Sequence, residues 1–156
     1  MSRERYVTRG GIAVHRTIDD IPIAGAIEPV IDALDTRRGA LLTSSYEYPG
    51  RYTRWDMGFV DPPLALTARE RHVRLSALNE RGRVLLPAMG AAVRRLAEVT
   101  WRETPDGDLE GLVAAPTKRF AEEERSKQPS VFSVLRALIE LFESPADPHL
   151  GLYGAF

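Results

Sequence analysis

Residues 41–63 read LLTSSYEYPGRYTRWDMGFVDPP, and the rest of the chain is arranged around them. The apolar run Gly39-Ala40-Leu41-Leu42 passes into three hydroxyls, Thr43, Ser44 and Ser45. After Pro49-Gly50 the chain returns with Trp55, Met57 and Phe59 on one face and Arg54, Asp56 and Gly58 on the other, the period of two that a strand imposes. Strand, turn and amphipathic strand predict a β-hairpin closed by a longer loop. Tyr46, Tyr48 and Tyr52 add to the rings concentrated here. Hydroxyls at one end and rings at the other can line a pocket for a small aromatic ligand. Trp55, Met57 and Phe59 by themselves are also what an ordinary core uses.

Upstream, residues 12–18 alternate loosely after Gly10-Gly11 and read as a strand, followed by a loop over 19–25. Glu28-Pro29 opens a short helix, because proline is tolerated in a first turn and an acidic residue suits the positive end of the helix dipole. Ile27, Val30, Ile31 and Leu34 form its apolar face, and Gly39 after Arg37-Arg38 is read as its stop.

Downstream, residues 64–68 continue extended and 70–77 alternate, with Val73, Leu75 and Ala77 on one side. Asn79-Glu80-Arg81-Gly82 reads as a hairpin turn and residues 83–86 as the returning strand. Pro87 is expected to stop that strand and open a helix marked by Met89, Ala92, Val93 and Leu96. Residues 100–103, the turn 104–108 and residues 109–115 give a third strand-turn-strand signal. Residues 117–128 form a charged connector with local ion pairs. Ser130 caps a helix with Val131, Val134, Leu135, Leu138, Leu141 and Phe142 on its apolar face, broken by Ser144-Pro145. The last run, Leu150 to Phe156, reads as a buried strand, so we expect a piece of a longer protein cut within its sheet. These elements predict an α+β fold, an antiparallel sheet of hairpins with flanking helices, in a single domain over 1–156.

At 156 residues, with 44% hydrophobic and 28% charged side chains and a net charge of −1, the composition is that of a globular protein. It carries no electrostatic footprint for nucleic acid. No run approaches the roughly 20 apolar residues of a membrane span. The polar N-terminus lacks a signal core, and we expect a cytoplasmic protein. The absence of cysteine removes disulfides, thiol catalysis and zinc–thiolate sites.

Catalytic signals are sparse. His15, His72 and His149 each stand alone, so no metal site is expected in this chain. No nucleophile elbow, P-loop or dinucleotide fingerprint occurs. Asp56 and Asp61 flank the aromatic strand, but their odd spacing sets them on opposite faces of a regular strand. Arg51 and Arg54 beside Tyr52 suit a ligand carboxylate, and equally a surface ion pair or ring stacking.

Taken together, GGIAVHR, LLTSSYEYPGRYTRWDMGFVDPPL, RGRVLL, EEERSKQPSVFSVLRALIELF and GLYGAF resemble, in order and over nearly the whole chain, the N-terminal region of anthranilate synthase component I. The similarity is greatest to the bacterial type in which synthase and glutamine amidotransferase portions are fused. The resemblance implies an incomplete N-terminal part of the chorismate-utilising enzyme fold. It implies a lyase of tryptophan biosynthesis that converts chorismate and glutamine to anthranilate, pyruvate and glutamate with magnesium, under tryptophan inhibition. The family's catalytic residues, magnesium ligands and chorismate contacts lie in its C-terminal portion, so this chain alone is expected to be inactive and without a cofactor.

The resemblance also implies partners: tryptophan as inhibitor, the C-terminal chorismate-binding portion and the glutamine amidotransferase portion. A homo-oligomer is compatible with it. The family's Leu-Leu-Glu-Ser inhibitor motif falls on Leu41-Leu42-Thr43-Ser44, which assigns tryptophan contact to Leu42, Thr43 and Ser44. Thr43 replaces the family glutamate. A carboxylate binds a ligand ammonium by a charge-assisted bond of about 1.5–3 kcal/mol, so tryptophan affinity is expected to fall about tenfold or more unless another acid, such as Glu47, compensates. Sibling chorismate enzymes (aminodeoxychorismate or phenazine-pathway synthases) and a free-standing amino-acid-binding module are the alternatives.

Overall fold

The structure, a computed structural model, describes residues 1–44, 50, 56–115 and 128–147. In chain order its elements are β1 (Ser2–Val7), β2 (Ala13–Ile18), α1 (Glu28–Leu34), β3 (Gly39–Thr43), β4 (Asp56–Val60), β5 (Leu64–Arg69), β6 (His72–Ala77), α2 (Glu80–Val93), β7 (Val99–Glu103), β8 (Leu109–Val113) and α3 (Val131–Phe142). The class is α+β with antiparallel pairing, as the sequence predicts. The chain divides into two compact units, one built mainly from Ile18–Pro62 and one from Arg3–Thr17 with the chain beyond Pro63.

In the first unit β3 and β4 form the expected antiparallel hairpin, pairing Gly39 with Val60, Leu41 with Gly58, Leu42 with Met57 and Thr43 with Asp56. Directly opposed residues share a face, so Gly39, Leu41, Thr43, Asp56, Gly58 and Val60 lie on one side and Ala40, Leu42, Met57 and Phe59 on the other. α1 packs on the first side. A Cβ on Gly58 would lie 3.0 Å from Val30 Cγ1, and one on Gly39 would lie 2.6 Å from Leu34 Cδ2 and 2.2 Å from the Phe59 carbonyl oxygen. Gly39 is therefore the first residue of β3, needed for close approach, and not the stop of α1, which ends at Leu34 with Asp35 as its C-cap.

In the second unit a four-stranded sheet runs in the order β5-β6-β8-β7. Val73 and Leu75 on β6, Leu109 and Val113 on β8 and Val99 on β7 point to one face. There they meet Leu86, Met89 and Val93 of α2 and Val134, Leu138, Leu141 and Phe142 of α3. Leu75, Val93, Val134 and Leu138 are fully buried. α3 begins as expected at Ser130, whose backbone N–H donates to Ser133 Oγ at 3.4 Å.

The turn and strand expected over 79–86 are not there. Asn79 is the N-cap of α2, its Oδ1 accepting from the Gly82 N–H at 3.2 Å, and the buried residues Gly82, Leu86, Met89, Gly90 and Val93 recur at helical spacing. Asn and Gly signal a hairpin turn and a helix cap alike. Pro87 sits inside α2 on its exposed side, where it has no N–H to offer the Arg83 carbonyl. β1 was also not expected. It pairs with β2 in a two-stranded sheet. Thr8 to Ile12 joins the two strands, with the Thr8 N–H on the Ile12 carbonyl at 2.9 Å. The charged connector at 117–128 lies outside the described residues except for Gln128, and the terminal run 150–156 lies wholly outside them. No helix among the described residues is long and apolar enough to cross a membrane.

Candidate functional site

The residues singled out for ligand contact stand at the loop end of the β3–β4 hairpin. Leu42 is 37% exposed and faces Met57. Thr43, also exposed, is on the opposite face beside Asp56. Ser44, just past the strand, is half-buried. The hairpin therefore does not gather all three on one surface: the ladder separates Leu42 from Thr43. It does set a carboxylate next to the threonine. Side chains opposite one another in an antiparallel pair have Cβ atoms about 4.5–5.5 Å apart, so among the described residues Asp56 stands directly across from Thr43. The sequence pattern had placed Asp56 on the face away from the rings, but a register is needed to set it beside Thr43. Glu47, Arg51, Arg54 and Trp55 lie outside the described residues.

Asp61 stands beyond the other end of β4, about 16 Å of strand from Asp56 at roughly 3.3 Å per residue. Its carboxylate is held by Arg37, with Arg37 Nε donating at 3.0 Å. Asp56 and Asp61 are thus no acid–base pair.

A second surface is the face of the four-stranded sheet that no helix among the described residues covers, an open groove of ≈ 710 Å³ lined by Arg69, His72, Arg74, Arg102, Glu110 and neighbours. Two of its arginines, Arg74 and Arg102, are held by carboxylates. Arg74 Nη2 and Nε donate to Asp108 Oδ2 at 2.8 and 3.0 Å, and Ser76 Oγ adds a bond of 2.8 Å. Arg102 Nε donates to Glu110 Oε2 at 2.9 Å. Burial alone would raise the Asp108 pKa, but the hydrogen bonds from Arg74, Ser76 and the Ala77 N–H outweigh it and hold the carboxyl below its ordinary value. A carboxylate kept ionised by three donors braces β6 against β8 and is a poor proton-transfer group.

The third cluster ties the N-terminal hairpin to the end of α3, and sequence reasoning missed it. Tyr6 Oη donates to Asp147, whose carboxylate also pairs with Arg16. Arg16 Nε donates to Glu4 at 2.9 Å, and the guanidinium carbon lies 5.6 Å from the centre of the Tyr6 ring. Thr8 Oγ1 donates to the Leu141 carbonyl at 2.8 Å. Burial, then the hydrogen bond to Asp147, pushes the Tyr6 pKa up to about 12. The network is a fastening. No signal in the sequence links Tyr6 to a carboxylate 141 residues away. Among the described residues, no three His, Asp or Glu side chains converge to hold a metal ion.

The chain is 53% identical over 152 residues to an anthranilate synthase from Azospirillum brasilense, a match that takes in 97% of this chain and 21% of that protein. The chain thus spans about a fifth of the length of this curated relative. No family model matches it, and no solved structure does.

Proposed function

We propose, from the homology of this chain to about a fifth of an anthranilate synthase, that it is a regulatory and scaffold portion of such an enzyme in the cytoplasm. The whole enzyme converts chorismate and glutamine to anthranilate, pyruvate and glutamate, a step of tryptophan synthesis. The catalytic groups, the magnesium ligands and the glutamine amidotransferase portion belong to parts of the polypeptide outside these 156 residues. The single observation that carries this reading is the 53% identity maintained along 97% of the chain.

Within that reading the end of the β3–β4 hairpin forms one wall of a tryptophan feedback site. Ser44 contacts the inhibitor, and Leu42, on the other face of the ladder from Thr43, adds apolar surface only at the edge of the strand end. Thr43 offers its ammonium a hydroxyl, and Asp56 across the ladder supplies the negative charge that Thr43 lacks. The register that pairs Thr43 with Asp56 supports this assignment. Inhibition requires that tryptophan bind a poorly active conformation more tightly than the active one. A tenfold preference corresponds to about 1.4 kcal/mol of coupling.

The test replaces the matching fifth of the Azospirillum enzyme with this chain. The chimera is expected to form anthranilate, followed by its fluorescence, from chorismate with glutamine or ammonia and magnesium. The 156-residue chain alone is expected to form none. Turnover by the isolated chain would refute the scaffold assignment, and a folded chimera without activity would refute the kinship in function. Tight tryptophan binding by the isolated chain together with an inactive chimera would favour a free-standing amino-acid-binding module.

A further inference from the structure

α3 is apolar around more of its circumference than the core among the described residues uses. Val134, Leu138, Leu141 and Phe142 are buried on one side. At about 100° per residue, Phe132, Leu135 and Ile139 follow the i, i+3, i+7 spacing and form a second stripe continuous with the first. Phe132 remains 52% exposed and Ile139 48% exposed, with Leu135 half-buried between them. Arg136 and Glu140 alone occupy the exposed polar side. A surface helix of a globular protein normally carries one apolar stripe, and a helix apolar nearly all round is a buried one. Single exposed apolar residues are ordinary, but large side chains stacked along one helix face form a patch.

We infer that the Phe132–Leu135–Ile139 face of α3 docks onto the remaining part of a longer synthase polypeptide, an inference that rests on the reading given under Proposed function. The size of that part is the argument for the occupant. The match leaves about four-fifths of the Azospirillum protein outside the region of similarity. A narrow apolar stripe bordered by one cation, Arg136, and one anion, Glu140, fits a protein surface of like pattern. It has neither the cationic excess that anionic lipid attracts nor the one that nucleic acid requires.

The chain has no cysteine of its own, so Ile139→Cys introduces a thiol whose alkylation by iodoacetamide is read by peptide mass spectrometry. Its rate is compared in the 156-residue chain and in the Azospirillum enzyme carrying this chain in place of its matching segment. Glu140→Cys is the exposed control. We expect the thiol at position 139 to react at least tenfold more slowly in the long protein, while the thiol at 140 reacts within about twofold in both. Equal rates at 139 overturn the inference. Protection in the short chain that grows with its concentration identifies a second copy as the occupant, and protection there at every concentration identifies the chain itself. Either result overturns the inference. If the exchanged protein does not fold, the thiol is placed at the aligned position of the Azospirillum enzyme, with the same expected and refuting results against the short chain. Anthranilate formation is scored separately: an active chimera with a fast thiol at 139 sinks the docking alone, and a slow thiol in an inactive chimera sinks the functional reading alone.

Discussion

Gly82→Ala tests the packing of α2 directly, because helix propensity and packing predict opposite signs for it. Gly82 has ordinary helical φ, and it is absent from the glycines with positive φ, so alanine meets no backbone strain. Propensity alone makes the substitution stabilising by about 1 kcal/mol. Against this, a Cβ built on Gly82 lies 1.9 Å from the Pro63 carbonyl oxygen, where real contacts begin at about 3.0 Å. That oxygen is held in place by the Leu78 N–H at 2.8 Å. Relief therefore requires the first turn of α2 to move by about an ångström, straining the Asn79 cap as well. Overpacking of this kind costs about 1–3 kcal/mol, and the weakened hydrogen bond adds about 1 kcal/mol. The net expectation is a loss of about 1–3 kcal/mol. For a chain of this size that lowers the melting temperature by roughly 2–12 °C. Circular dichroism melts of the two proteins decide it. An unchanged or raised melting temperature for Gly82→Ala would refute the close approach.

Pro87→Ala should act in the opposite direction, since Pro87 lies exposed inside α2 and interrupts its bonding; a gain of about 1–3 kcal/mol is expected by the same melts, and a loss would argue for the strand ending first read there. Tyr6 should titrate late: among the 5 tyrosines, one phenol monitored by ultraviolet absorbance is expected near pH 12, and Tyr6→Phe should abolish that late step. Because the folded-state value lies above the ordinary 10.0, the stability tied to this proton is complete below pH 10 and is lost as pH rises towards 12. Asp108 behaves in the opposite sense. Its folded-state value is lowered, so its contribution is present above the ordinary carboxylate value of about 3.9 and is lost as pH falls through the lower folded value. Asp108→Asn should cost roughly 1–3 kcal/mol at neutral pH and flatten the acid limb of the stability profile; an acid limb unchanged from the parent would show that Asp108 carries none of it.

The β3–β4 hairpin, the β7–β8 pair and α3 were legible because each is a local pattern: alternation, a turn, or an apolar face behind a serine cap. α2 was not, because its opening residues serve a hairpin turn as readily as a helix cap, and because Pro87 looked like a stop. The deciding facts, the contact of Gly82 with Pro63 and the burial of Leu86 and Met89, belong to tertiary structure. β1 escaped for a different reason. Its partly buried residues are Glu4 and Tyr6, whose partners Arg16 and Asp147 are polar, so no hydrophobic alternation announces the strand. At the candidate site the sequence supplied Leu42, Thr43 and Ser44 through resemblance alone; the alternation of any strand already sets Leu42 and Thr43 on opposite faces, but it took the strand register to show that Asp56 stands beside Thr43.

The central claim is that this hairpin senses tryptophan for a synthase, and inhibition of the chimera by tryptophan tests it most directly. Inhibition curves are measured for the chimera with the parent hairpin, with Asp56→Asn and with Thr43→Glu. If Asp56 supplies the missing charge, Asp56→Asn raises the half-inhibiting tryptophan concentration about tenfold and Thr43→Glu lowers it, with turnover in the absence of tryptophan unchanged. Curves that coincide for all three proteins would contradict the claim.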